Sequence, residues 1–245
     1  MDSGMYIYDH DLKLKQTLPH KIQYISNFTS DDMFFTCNFN LGIWDTLNMQ
    51  NVYTLDQKIH LSAILNENSI LVGMDNLVGI VDLRIGTILN TVPSKGLVTS
   101  LYTKNDNDIY NGDMNGHLNL IDKRMMKVVN TNETDSPVCS IIYKDHIISQ
   151  GNELLIWGDD LVENHALVNI PHSVNIYNSI NFIKVFLDYL IIPCNDGDIG
   201  LYNTTSKIMT KVDGHFTRIT SLEILDKIQT HSEDGILGTF ELIKK

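Results

Sequence analysis

The side chains able to act on another molecule fall into three sets. The first is carboxylic: Asp75, Asp82, Asp113, Asp122, Asp196, Asp198, Glu233 and Asp234. Two carboxyl groups at the right separation do acid and base work on a glycosidic bond. Each of these acids, however, stands beside a turn residue or at a strand end, where Asp caps backbone N–H groups. A hydrolytic centre requires several of them to be unpaired, desolvated and converging in one cleft with raised pKa values. The second set, nine histidines and three cysteines, contains no HExxH and no CxxC, so its spacing offers no metal site. No GxSxG, GxxxxGK[ST] or GxGxxG occurs either, which removes the nucleophile elbow and the phosphate loops. No cofactor is expected. The third set is cationic. Lys21, Lys58, His60, Lys95, His215 and Arg218 precede a series of apolar segments, and Arg84 and Arg124 each stand two residues after an Asp. The chemistry of this set is recognition: a planar guanidinium fork matches carboxylates and backbone carbonyls.

The elements that carry these residues are repeated. Residues 111–124, NGDMNGHLNLIDKR, read as a strand end, a tight Asn115-Gly116 turn and an alternating strand closing on Ile121-Asp122. Versions of it close on Asp9, Asp45, Asp82, Gly158, Asn203 and Glu241. The successive spacings, with Asp122 in its place, are 36, 37, 40, 36, 45 and 38 residues. One widened interval among six marks an insertion, Asp159–Tyr177, in an otherwise constant period. Within each period lie short segments rich in Val, Ile, Leu, Thr and Tyr, bounded by Asn, Asp and Gly, which satisfies the strand template. No window shows a capped helical period, so the expected class is all-β. Four antiparallel strands per period of about 40 residues is the unit of a β-propeller, whose small sheets each have an apolar face they can hide only against a neighbour.

At these residues the chain resembles the WD40-repeat family, with degenerate motifs. Trp44-Asp45 is an intact WD pair, Gly214-His215 an intact GH pair, and the other repeats close on Tyr8-Asp9, Val81-Asp82, Ile121-Asp122, Trp157-Gly158, Tyr202-Asn203 and Phe240-Glu241. The resemblance implies a WD40-type β-propeller over residues 1–245 as a single domain. It also implies a bonded chain of His, hydroxyl, turn Asp and Trp in each blade, of which His215 with Asp234 and His20 with Trp44 are candidates. Six inner strands are countable, at Ile22–Asn27, Ile59–Leu65, Leu97–Tyr102, Val138–Tyr143, Ile180–Phe186 and Ile219–Leu225. The favoured count is six complete four-stranded blades, with Leu14–Leu18 closing the ring as outer strand of the last blade and Met5–Asp9 left over. The alternative is seven blades with one incomplete, built from Met5–Asp9 and Leu14–Leu18.

The resemblance also assigns faces. The loops entering the inner strands meet beside a central channel, so Lys21, Lys58, His60, Lys95, His215 and Arg218 are expected to form a basic collar that attracts an acidic peptide. Turn acids Asp75, Asp113, Asp196 and Asp234 on the same face stand ready to neutralise it. Val81-Asp82-Leu83-Arg84 and Ile121-Asp122-Lys123-Arg124 resemble the WDxR boxes that dock on the adaptor of a cullin ubiquitin ligase. That reading requires Arg84 and Arg124 on one face and outside intramolecular ion pairs.

Composition narrows the class of partner. A formal charge of −12, from 18 basic and 30 acidic residues, opposes direct binding of nucleic acid, which depends on neutralising phosphates. The first residues show no signal-peptide pattern, and no apolar run approaches the ~20 residues of a membrane helix. Cys37, Cys139 and Cys194 read as free thiols of a reducing compartment. The expectation is a non-catalytic protein–protein interaction scaffold, monomeric within a larger cytoplasmic or nuclear complex. A ubiquitin-ligase receptor and a propeller hydrolase are the alternatives.

Overall fold

The computed structural model describes residues 5–8, 13–18, 24–27, 33–45, 50–66, 68–151, 153–162, 164–169, 183–194, 196–224 and 227–241. Every regular element among them is a strand. The first sheet pairs β1 (Met5–Tyr8) with β2 (Leu14–Leu18). A six-stranded sheet follows: β3 (Tyr24–Asn27), β4 (Met33–Asp45), β5 (Asn51–Asn66), β6 (Ser69–Met74), β7 (Leu77–Asp82) and β8 (Thr87–Pro93). The third sheet holds β9 (Val98–Thr103), β10 (Asp108–Asp113), β11 (His117–Asp122) and β12 (Lys127–Glu133). The fourth holds β13 (Ser140–Lys144), β14 (His146–Gln150), β15 (Glu153–Trp157) and β16 (Asn164–Asn169). The fifth holds β17 (Lys184–Phe186), β18 (Tyr189–Pro193), β19 (Ile199–Asn203) and β20 (Ile208–Val212). The last has three strands, β21 (Ile219–Ile224), β22 (Ile228–Ser232) and β23 (Leu237–Phe240). All pairings are antiparallel and join strands adjacent in sequence.

The sheets stack because one inner strand in each of four of them, β6, β10, β14 and β18, is buried on both faces. Side chains alternate across a strand, so consecutive apolar residues serve opposite neighbours. Leu71 joins Val98, Leu101 and Ile109 between the second and third sheets. Tyr110, next to Ile109, joins Val138, Ile147 and Trp157 on the other side. Ile148 turns away from Ile147 to meet Leu190 and Tyr202, and Ile191 leaves Leu190 to meet Ile219 and Ile228. Each of these four apolar layers therefore belongs to two sheets at once. Small residues let the layers close up. Gly73 faces Val98 so tightly that an added Cβ would lie 2.8 Å from its Cγ1.

The recurring terminal Asp or Asn has a local task. In the hairpins after β7, β11 and β19, the side chain of Asp82, Asp122 or Asn203 accepts the N–H two residues on, at 2.8, 2.8 and 3.0 Å. Four residues after it comes a residue at positive φ, Gly86, Met126 or Lys207. This is a turn followed by a left-handed residue, the usual way to close a hairpin of this length. At these three of the seven repeat ends, the period seen in the sequence is thus the period of a capped turn.

Two expectations are corrected. Leu14–Leu18 pairs with Met5–Tyr8 in a separate sheet, and the last sheet has three strands among the described residues. The ring of six complete four-stranded blades closed by Leu14–Leu18 is therefore not what the pairing gives. The first repeats are also fused. β4 faces β3 through Phe34–Cys37 and β5 through Phe39–Trp44, and β5 runs on to face β6. Each of the stretches Cys37–Asn40 and Asp56–Ile59 continues as one strand.

Candidate functional site

The charged residues at the sheet ends are held by their neighbours. Lys58 and His60 do not lie in a loop entering an inner strand; they lie within the long β5. Both reach the β6–β7 turn, where Asp75 receives Lys58 Nζ at 3.0 Å and His60 Nε2 at 2.6 Å. Lys95 stands 3.5 Å from Glu133, and Arg218 is paired with Glu233. His215 Nε2 lies 2.6 Å from Thr230 Oγ1, and its ring meets Phe240 edge-on at 6.4 Å. Lys21 lies outside the described residues. Among the described members of the expected collar, Lys58, His60, Lys95 and Arg218 thus each face a resident carboxylate, and His215 a hydroxyl.

Arg84 and Arg124 are engaged in the same way. Arg84 Nη2 is 2.6 Å from Asp82 Oδ2, and Arg124 Nη2 is 3.2 Å from Asp122 Oδ2, within the capped turns described above. Both guanidiniums face solvent, yet each stabilises its own turn. The cullin-adaptor reading required both Arg outside intramolecular ion pairs, and neither is.

Asp75, Asp82, Asp122 and Asp234 are held ionised. Lys58 and then His60 keep Asp75 below the usual carboxylate range. The Arg84 guanidinium pulls Asp82 down to about 2. Arg124 lowers Asp122, and the Ser232 hydroxyl lowers Asp234. A general acid needs a shift in the other direction. A cleft of about 270 Å³ beside Ser136 and Gly151 has two carboxylates on its wall, Asp135 and Glu153, both exposed. Among the described residues no three metal-ligating side chains converge.

The most enclosed charge is one that turn chemistry alone would rank with the others. Asp113 is fully buried. Its carboxylate accepts the backbone N–H groups of Asn115 and His117 at 2.9 Å each, and it lies 3.0 Å from His117 Nδ1. His117 Nε2 continues to Glu133 at 3.4 Å. The carbonyl of Asp113 also accepts the N–H of Val138, a residue that leads into the next sheet. Asp113 therefore joins a turn to the neighbouring sheet.

Two fragments of the bonded chain that the resemblance implies are present. Trp157 Nε1 donates to Ser149 Oγ at 2.7 Å across β14 and β15. His215 meets the hydroxyl of Thr230 rather than Asp234 directly, and Asp234 instead accepts from Ser232. His20 lies outside the described residues. Of the insertion Asp159–Tyr177, residues 159–161 are bound to the third sheet. Tyr110 Oη donates to the carbonyl of Asp159 at 2.7 Å, and Asn132 Nδ2 to that of Leu161 at 2.8 Å. The sequence carried no signal for this attachment, because the partners are about 30 to 50 residues apart and belong to different repeats.

No family model matches the chain, and no curated protein matches it. Among solved structures it is similar to the crystal structure of the computationally designed Ika8 protein. The TM-score is 0.69 at 17% identity, over 89% of this chain and 70% of that one. A likeness at that identity shows the fold alone.

Proposed function

We propose that this chain is a WD40-like β-propeller that serves as a non-catalytic docking platform within a larger intracellular protein complex. The observation that carries the reading is the set of shared apolar layers, which fixes successive sheets against each other and so presents their turns as rigid, independent surfaces. Rigid loops lose little conformational freedom on contact, which favours binding without folding. The repeat of capped turns, the Trp157–Ser149 and His215–Thr230 bonds, and the intact Trp44-Asp45 pair support the family assignment. Among the described residues the first sheet, β1–β2, and the last, β21–β23, are both short of four strands, which supports a ring with an incomplete blade over one of six complete blades. The downward shift of Asp75 and Asp82 favours a structural role for these two acids over a hydrolytic one.

Affinity purification of the full chain followed by mass spectrometry tests this reading. A fixed set of proteins that co-purifies at physiological salt supports it. Recovery of the chain alone, with turnover of a small substrate, overturns it.

A further inference from the structure

We infer that the outer edge of β23 is the docking site for an extended, apolar and basic segment of a partner protein, which adds as a fourth strand and places a lysine against Asp234. The inference rests on the platform reading and names one of its surfaces.

The argument comes from the neighbouring sheet. β19 reads Ile199-Gly200-Leu201-Tyr202-Asn203, and β23 with the residue after it reads Leu237-Gly238-Thr239-Phe240-Glu241. Both follow an Asp-Gly turn, Asp196-Gly197 and Asp234-Gly235, with φ of +93° and +80° at the glycines. The Asp lies four residues before the strand glycine in each case. The two strands are equivalent in pattern, but their edges differ. β19 is covered by β20, with Gly200 opposite Lys211, Leu201 opposite Thr210 and Tyr202 opposite Met209. Among the described residues nothing pairs with the outer edge of β23.

β20 therefore shows what such an edge accepts. Lys211 Nζ reaches back to the turn and lies 2.5 Å from Asp196 and 2.7 Å from Asp198. The Met209 methyl lies over Gly200, where an added Cβ would collide with it. Transferred to the last sheet, the incoming strand sets a lysine opposite Gly238, within reach of Asp234, and an apolar side chain opposite Phe240. Leu237, the first residue of β23, and Ile236 before it are 55% and 50% exposed. Strand addition to a free edge supplies backbone hydrogen bonds for affinity and alternating side chains for specificity.

Charge selects the occupant. Glu233 and Glu241 already have Arg218 and Lys227 as partners, whereas among the described residues no cation is paired with Asp234, the counterpart of Asp196. A second copy would bring its own −12 to the same place, and like charges at an interface disfavour it. The chain's own β2, Leu14-Lys15-Gln16-Thr17-Leu18, is paired with β1. Aligned end to end with β20, it places Thr17 where β20 has Lys211.

The probe is a labelled peptide with the sequence of residues 206–214, Ser-Lys-Ile-Met-Thr-Lys-Val-Asp-Gly, titrated with the full chain by fluorescence anisotropy. Hydrogen exchange at Leu237–Phe240 is measured in parallel. The expected result is saturable binding with Kd of about 1 mM or tighter, together with slowed exchange of β23 amides. Asp234→Asn, which keeps the turn's acceptor, weakens the peptide by about threefold. It leaves unchanged a peptide bearing Lys211→Gln, as a pairwise coupling requires. Four results overturn the inference. They are no binding at about 1 mM, binding indifferent to both substitutions, β23 amides already protected until residues 1–18 are deleted, and a peptide-free dimer by light scattering. If the peptide fails while affinity purification still returns a fixed partner set, the edge inference falls and the platform reading stands.

Discussion

Gly112→Ala puts the stacking of sheets to its most direct test. Gly112 lies on β10 opposite Ser100 of β9. A methyl group there would land on Ser100 Oγ and on Val138 Cγ1 of the approach to β13, far inside van der Waals contact. The neighbours have little freedom to yield. Val138 is 1% exposed, and its carbonyl accepts Thr99 Oγ1 at 2.6 Å and Ser100 Oγ at 2.9 Å. Overpacking a closed core costs about 1–3 kcal/mol. Pushing the sheets apart also endangers two buried hydrogen bonds, at about 1 kcal/mol each. The expected loss is about 2–4 kcal/mol. For a chain of this length that lowers Tm by roughly 2–4 °C for each kcal/mol. Urea unfolding followed by Trp157 fluorescence reads it, since Trp157 is fully buried in the same layer as Val138. Gly73→Ala, the corresponding position one sheet earlier, should cost less, because its Cβ would meet Val98 and Leu61 side chains at 2.8 and 3.0 Å rather than a hydrogen-bonded wall. Adding Val138→Ala to Gly112→Ala should recover part of the loss, as steric coupling demands. A Gly112→Ala cost under about 0.5 kcal/mol, the level of an ordinary surface change, would show that these sheets are not in contact and would remove the basis of the fold.

Three further outcomes follow from the same geometry. Asp82 has a depressed pKa in the fold, so its contribution to stability is complete above the unfolded carboxylate value and disappears as pH falls towards about 2. Acid unfolding of Asp82→Asn should lack that component between pH ~4 and ~2, and an unchanged titration would count against the Arg84 pairing. Trp157→Phe removes the donor to Ser149 and leaves a buried hydroxyl without it, a loss of about 1–3 kcal/mol by denaturant midpoint. A change under about 0.5 kcal/mol would mean that the bond is not made. Burial pushes the Cys139 thiol up to about 11, so alkylation at pH 8 should be slow in the native chain and fast in denaturant. Equal rates in both would place the thiol at the surface.

The sequence alone determined the strand class and the repeat. Asp82, Asp122 and Asn203 must cap their turns because the alternation of β7, β11 and β19 ends there and a short oxygen-bearing side chain is what the turn's N–H groups accept. It also marked Asp75, Asp113 and Asp234 as turn acids, since each stands at the tip between two apolar runs. What it left open were the relations between distant residues. Whether Lys58 is free or held by Asp75 depends on a turn 17 residues away. Whether Leu14–Leu18 joins β1 or β23 depends on which edge it meets, and backbone hydrogen bonding is nearly the same at any edge. Local pattern fixes which face of a strand is apolar; only the folded chain decides which sheet that face covers, because burial has no direction of its own.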